Sequence, residues 1–76
     1  MVPLTMARAG ETGTIRRITG KDELRQHLAE LGFVVDGSVT VVSELGGNRI
    51  LQVKDSRVAL DRTLAGRIMI ELEETQ

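Results

Sequence analysis

There is no cysteine among the 76 residues of this chain, so neither a disulfide nor a thiolate zinc site holds it together. Tryptophan and tyrosine are missing too, and Phe33 is the one aromatic. That excludes the stacking platforms of single-strand nucleic-acid binders and the aromatic grooves that read proline-rich peptides. Neither sign of charge dominates: ten Lys and Arg stand against eleven Asp and Glu, a net charge of −1. A basic field for phosphate backbones is therefore lacking, and no nucleic-acid partner is expected. No apolar run approaches the roughly 20 residues that cross a bilayer. The segment Met1–Gly10 lacks the apolar region of a secretion signal. The expectation is a cytoplasmic protein with no direct membrane insertion. Catalytic groups are scarce as well. Without cysteine, a Ser or Thr nucleophile needs His27, the one histidine, as its base, and no nucleophile motif is present. The chain is expected to bind rather than to catalyse.

What is present is aliphatic. Hydrophobic residues make up 41%, enough for one core and too many for a disordered chain. A single domain over 1–76 is expected, with a net stability of roughly 3–5 kcal/mol from its core.

Pro3 to Gly10 reads as a short helical turn, with Thr5 as N-cap and Gly10 as its stop. Gly13 then releases a strand over 14–18. A helix is expected over about 21–31, with Asp22 and Glu23 in its first turn and Leu24, Leu28 and Leu31 on one stripe. Gly32 is placed to cap it, and Phe33 to pack back on Leu28 as in a Schellman motif. Asp36-Gly37 marks a turn. Val39 and Val41 share the inward face of the next strand. A hairpin loop follows at Leu45–Asn48, where Gly46, Gly47 and Asn48 tolerate positive φ. Leu51 and Val53 point inward on the returning strand, and Asp55-Ser56 turns the chain again. Val58 and Leu60 form a short inward pair, and Asp61 caps a helical turn. Ile68, Ile70 and Leu72 line the last strand, and 73–76 form a polar tail expected to fray. About five short strands with one inserted helix suit closure into a small barrel that leaves no raw edges. The expected class is mainly β, an SH3-like barrel.

Three candidate sites emerge. His27 lies one helical turn from both Glu23 and Glu30, so the three share a flank that is able to hold a divalent metal loosely. A solvated Glu–His edge is the competing reading, because tight sites bring three or four well-placed ligands. Gly46-Gly47 lacks the Lys-Ser/Thr and the strand-to-helix setting of a phosphate loop. Val42, Ile50 and Met69 alternate out of phase with the inward sets, so they are expected on the outside. There they are either covered by the helix or exposed as a partner-binding patch. Arg49 is a candidate for its rim, since arginine is enriched at interfaces.

The chain resembles the FeoA family, small cytosolic accessory proteins of bacterial ferrous-iron uptake. The resemblance runs from about Pro3 to Leu72. It rests on Pro3-Leu4, Gly10-Glu11-Thr12-Gly13, Leu28-Ala29-Glu30-Leu31-Gly32-Phe33 with the following Gly37, and Val58-Ala59-Leu60-Asp61-Arg62 with Ala65 and Ile68. It implies an SH3-like barrel similar to the C-terminal domain of iron-dependent repressors. It further implies association with FeoB, the membrane transporter with a cytosolic G-domain, at the inner face of the membrane. The alternative it leaves is a metal sensor or carrier with weakly bound Fe2+ or Zn2+. The matching positions look structural: Gly10, Gly13, Gly32 and Gly37 at turns, leucines in a core. Asp36 stands where many relatives have Pro, and Gly46-Gly47-Asn48 replaces a longer hairpin.

Overall fold

The computed structural model describes residues 1–73. Its elements run β1 (Val2–Pro3), a 3-10 turn (Leu4–Met6), β2 (Thr12–Ile18), α1 (Asp22–Glu30), β3 (Ser38–Leu45), β4 (Asn48–Val53), β5 (Ser56–Leu60), α2 (Arg62–Ala65) and β6 (Ile68–Leu72). The six strands form one antiparallel sheet in the order β1-β6-β2-β3-β4-β5. Alternation turns one face of every strand inward. Ile15, Val39, Val41, Leu51, Val53, Leu60, Ile68 and Ile70 are all buried there, and no polar side chain joins them. Leu4, Leu28 and Phe33 fill the rest from the connecting segments. Burying each such side chain contributes about 1.5–3 kcal/mol.

The N-terminal segment departs from expectation. Val2 and Pro3 pair with Ile70 and Met69 as a sixth strand. The turn after them is capped by Pro3, and no side chain, Thr5 included, caps it. Strand β2 begins at Thr12, so Gly13 lies within it. A Cβ there would stand 2.9 Å from Ile70 Cδ1 and 3.1 Å from the Glu71 carbonyl, so this glycine serves close packing and not release of the chain. The turn expected at Asp55-Ser56 sits one residue earlier, with Lys54 at φ 52 and Ser56 already in β5. Within the expected tail, the Glu73 amide donates to the Thr12 carbonyl at 2.9 Å. Residues 74–76 lie outside those described.

Closure is not completed by the backbone ladder. The sheet ends at β1 and β5, which do not pair with each other. The seam between them is filled by α2, which packs on the 3-10 turn, β4 and β5. The α2 turn is held by its N-cap: Asp61 Oδ1 accepts from the Leu64 amide at 2.8 Å.

Helix α1 ends as its sequence requires. Gly32 has φ 109, the Gly32 amide donates to the Ala29 carbonyl at 3.0 Å, and the Phe33 amide to that of Leu28 at 2.9 Å. These are the two bonds of a Schellman cap. Glycine makes the reversal without the steric penalty of a Cβ. At 36–37 the roles are exchanged. Asp36 takes the positive φ of 71, while Gly37 allows its neighbour's carbonyl close: a Cβ on Gly37 would meet Val34 O at 3.0 Å.

Candidate functional site

The β3–β4 hairpin carries the features that matter most. Gly46 and Gly47, with φ 56 and 89, form its two-residue loop. Positive φ at both central residues is the mark of a twist-compatible tight turn. The register slips by one at Val42, a bulge, so that Ser43 and not Val42 faces Ile50. With Leu51 and Val53 inward, Asn48 and Ile50 face outward, and Leu45, opposite Asn48, shares their face. Leu45 is 66% exposed. Ile50 is half-buried between Ser43 and Ala59, and Val42 is half-buried as well.

Of the three outward residues expected from the sequence, Ile50 faces outward opposite Ser43, Val42 sits in the bulge next to that pair, and Met69 lies on another strand. Met69 sits opposite Pro3 and Arg17, on the far side of β2, and is half-buried. Leu45, placed by the sequence reading in a loop, replaces it as the most exposed member of the face.

Arg49 lies on the other side of the hairpin and is not free at a rim. Its Nη2 donates to the Thr5 carbonyl at 2.6 Å. Its Nη1 donates to the Ala7 carbonyl at 2.5 Å and to Glu44 Oε1 at 3.0 Å. Only 15% of the side chain is exposed. Arg49 thus ties the N-terminal segment to the hairpin beside the open seam. A cleft of about 260 Å3 opens there, lined by Thr5, Glu44, Gly47, Arg49 and Arg62.

The flank of α1 is different. Glu23, His27 and Glu30 are all exposed, and among the described residues no group of three or more His, Asp or Glu is placed to hold a metal ion. The helical spacing aligns the three without gathering their donor atoms on one point. Arg25 pairs with Asp22 on the same helix, and Arg16 reaches Asp36 at 3.2 Å and Glu71 at 3.3 Å from the bulge in β2. Exposed pairs of this kind contribute about 0–1 kcal/mol. No helix of the described residues is long and apolar enough to cross a membrane.

Comparison with known proteins gives these features a context. The FeoA domain model matches residues 2–72. A Methanocaldococcus jannaschii protein provisionally named Fe(2+) transport protein A is 31% identical over 71 residues, 93% of this chain and 87% of that one. The crystal structure of an iron uptake regulatory protein, FeoA, is similar with a TM-score of 0.88 at 30% identity, over 95% of this chain and 96% of that one. The zinc complex of Stenotrophomonas maltophilia FeoA, described as a prokaryotic SH3 domain protein, has a TM-score of 0.79 at 25% identity, over 93% and 91% of the two chains. The curled sheet is thus the expected SH3-like fold, with its ladder left open at one seam.

Proposed function

This chain belongs to the FeoA family of ferrous-iron transport, and from that premise we propose that it is a non-enzymatic accessory protein that docks on the cytosolic side of the transporter FeoB. The observation that carries the proposal is the outward face of the β3–β4 hairpin. There Leu45, 66% exposed, shares a face with Ile50, which lies next to the bulge at Val42. Apolar anchors at the centre of a contact usually supply most of its energy. The near-zero net charge leaves little long-range steering, so binding is expected to depend on salt only modestly. An accessory contact that must form and release suits micromolar affinity, about −8 kcal/mol.

Metal carriage is a second reading. Zinc in the S. maltophilia relative favours it, and the exposure of Glu23, His27 and Glu30, which are not gathered on a common point, opposes it. Interferometry with the purified FeoB cytosolic domain, and with the full-length transporter in membranes, tests the docking proposal. Wild type is expected to bind reversibly, and folded Leu45→Asp and Ile50→Asp variants to bind more weakly. A wild-type protein that binds neither form of the transporter overturns it.

A further inference from the structure

The cleft at the open seam has a chemistry that the docking proposal does not use. One wall is Arg49, whose guanidinium is fixed by two carbonyls and by Glu44. Those bonds occupy Nη1 and Nη2. The Nε–H has no partner among the described residues, and no unpartnered side-chain nitrogen there is sealed from solvent. A fixed guanidinium with a donor to spare thus lines the cleft. Arg62, at the start of α2, lines the same cleft and makes no ion pair among the described residues. Gly47 leaves the entrance clear, since a Cβ there would meet nothing within 4 Å.

The charges lining the cleft are +1 each from Arg49 and Arg62 and −1 from Glu44, a sum of +1. A singly charged carboxylate balances that sum, whereas a dianion such as phosphate meets Glu44 uncompensated. The planar guanidinium also matches a carboxylate geometrically.

We propose that this cleft receives an aspartate or glutamate side chain of the protein partner, with Arg49 and Arg62 as its clamp. The inference rests on the docking proposal above and adds to the hairpin face a charged point of attachment. Arg62 is the residue to change, because Arg49 also holds the fold together. Arg62→Glu places an acid in the first turn of a helix, where the dipole favours it, so the variant is expected to fold.

Binding to the FeoB cytosolic domain is measured for wild type, Arg62→Glu, Arg62→Gln and Arg17→Glu. The last makes the same charge change on the strand that faces Met69. The proposal requires Arg62→Glu to weaken binding at least about tenfold, Arg62→Gln to weaken it less, and Arg17→Glu to change it by less than about twofold. If Arg62→Glu binds like wild type, or loses no more than Arg17→Glu, while Leu45→Asp still weakens binding, the cleft is overturned and docking stands. If wild type does not bind at all, docking fails and the cleft falls with it.

Discussion

The guanidinium of Arg49 reaches the carbonyl of Thr5 at 2.6 Å, across 44 positions of chain. With its bond to Ala7, this contact fastens the N-terminal segment over the seam that the strands leave open. Hydrogen bonds made by charged donors contribute about 1.5–3 kcal/mol each. Arg49→Met keeps much of the apolar stem and removes the donors. It is expected to destabilise the protein by about 2 kcal/mol or more, read as a lower urea midpoint with an unchanged slope. A midpoint equal to wild type would mean that the seam holds without Arg49.

Gly32 is expected to resist substitution. At φ 109, with Val53 Cγ2 3.4 Å from where a Cβ would stand, Gly32→Val forces a β-branched residue into the left-handed cap. The cost should exceed about 1 kcal/mol. Equal denaturation midpoints for the two proteins would contradict the cap geometry.

Gly46 points the other way. Its φ is 56, and a Cβ there would meet nothing within 4 Å. Asparagine tolerates that conformation, and Asn-Gly is a favoured pair for such a loop. Gly46→Asn narrows the unfolded ensemble without straining the folded one, so a gain of up to about 1 kcal/mol is expected. Thermal unfolding checks this, and a lowered Tm would show that the loop needs glycine at both positions.

For the metal question the decisive variant is His27→Ala. Titration calorimetry with Zn2+, and anaerobically with Fe2+, is expected to show binding no tighter than micromolar, unchanged in the variant, because Glu23, His27 and Glu30 converge on no common point. A sub-micromolar affinity lost in His27→Ala would establish the helix flank as a site.

These expectations separate what is legible in the sequence from what is not. The α1 cap, the Gly46-Gly47 loop, the Asp61 cap and the inward sets were legible because each is decided within a few residues. Strand β1 was not: two residues carry no periodicity, and Val2–Pro3 is a strand only because β6 lies beside it. The bulges at Arg16 and Val42 likewise have no local mark. A hairpin loop two residues shorter than expected put Leu45 in the strand, on the outward face, and the place of β6 beyond β2 separated Met69 from it. Arg49 reads as a rim residue in the sequence because the carbonyls that define its role lie far away along the chain.

The position of β6 bears on how the chain is made. It pairs with β1 on one side and β2 on the other, joining the last residues of the fold to the first. The β3–β4–β5 meander is local and able to form as soon as it is synthesised, since neighbouring strands close small loops. The N-terminal segment has no such partner at hand. Until Ile68–Leu72 emerge from the ribosome, the inward side chains of β2 remain uncovered along one edge. A nascent chain halted before residue 68 would thus carry an ordered meander beside an adhesive, unfinished edge. Protease sensitivity of stalled chains should fall abruptly only once the whole of β6 is outside.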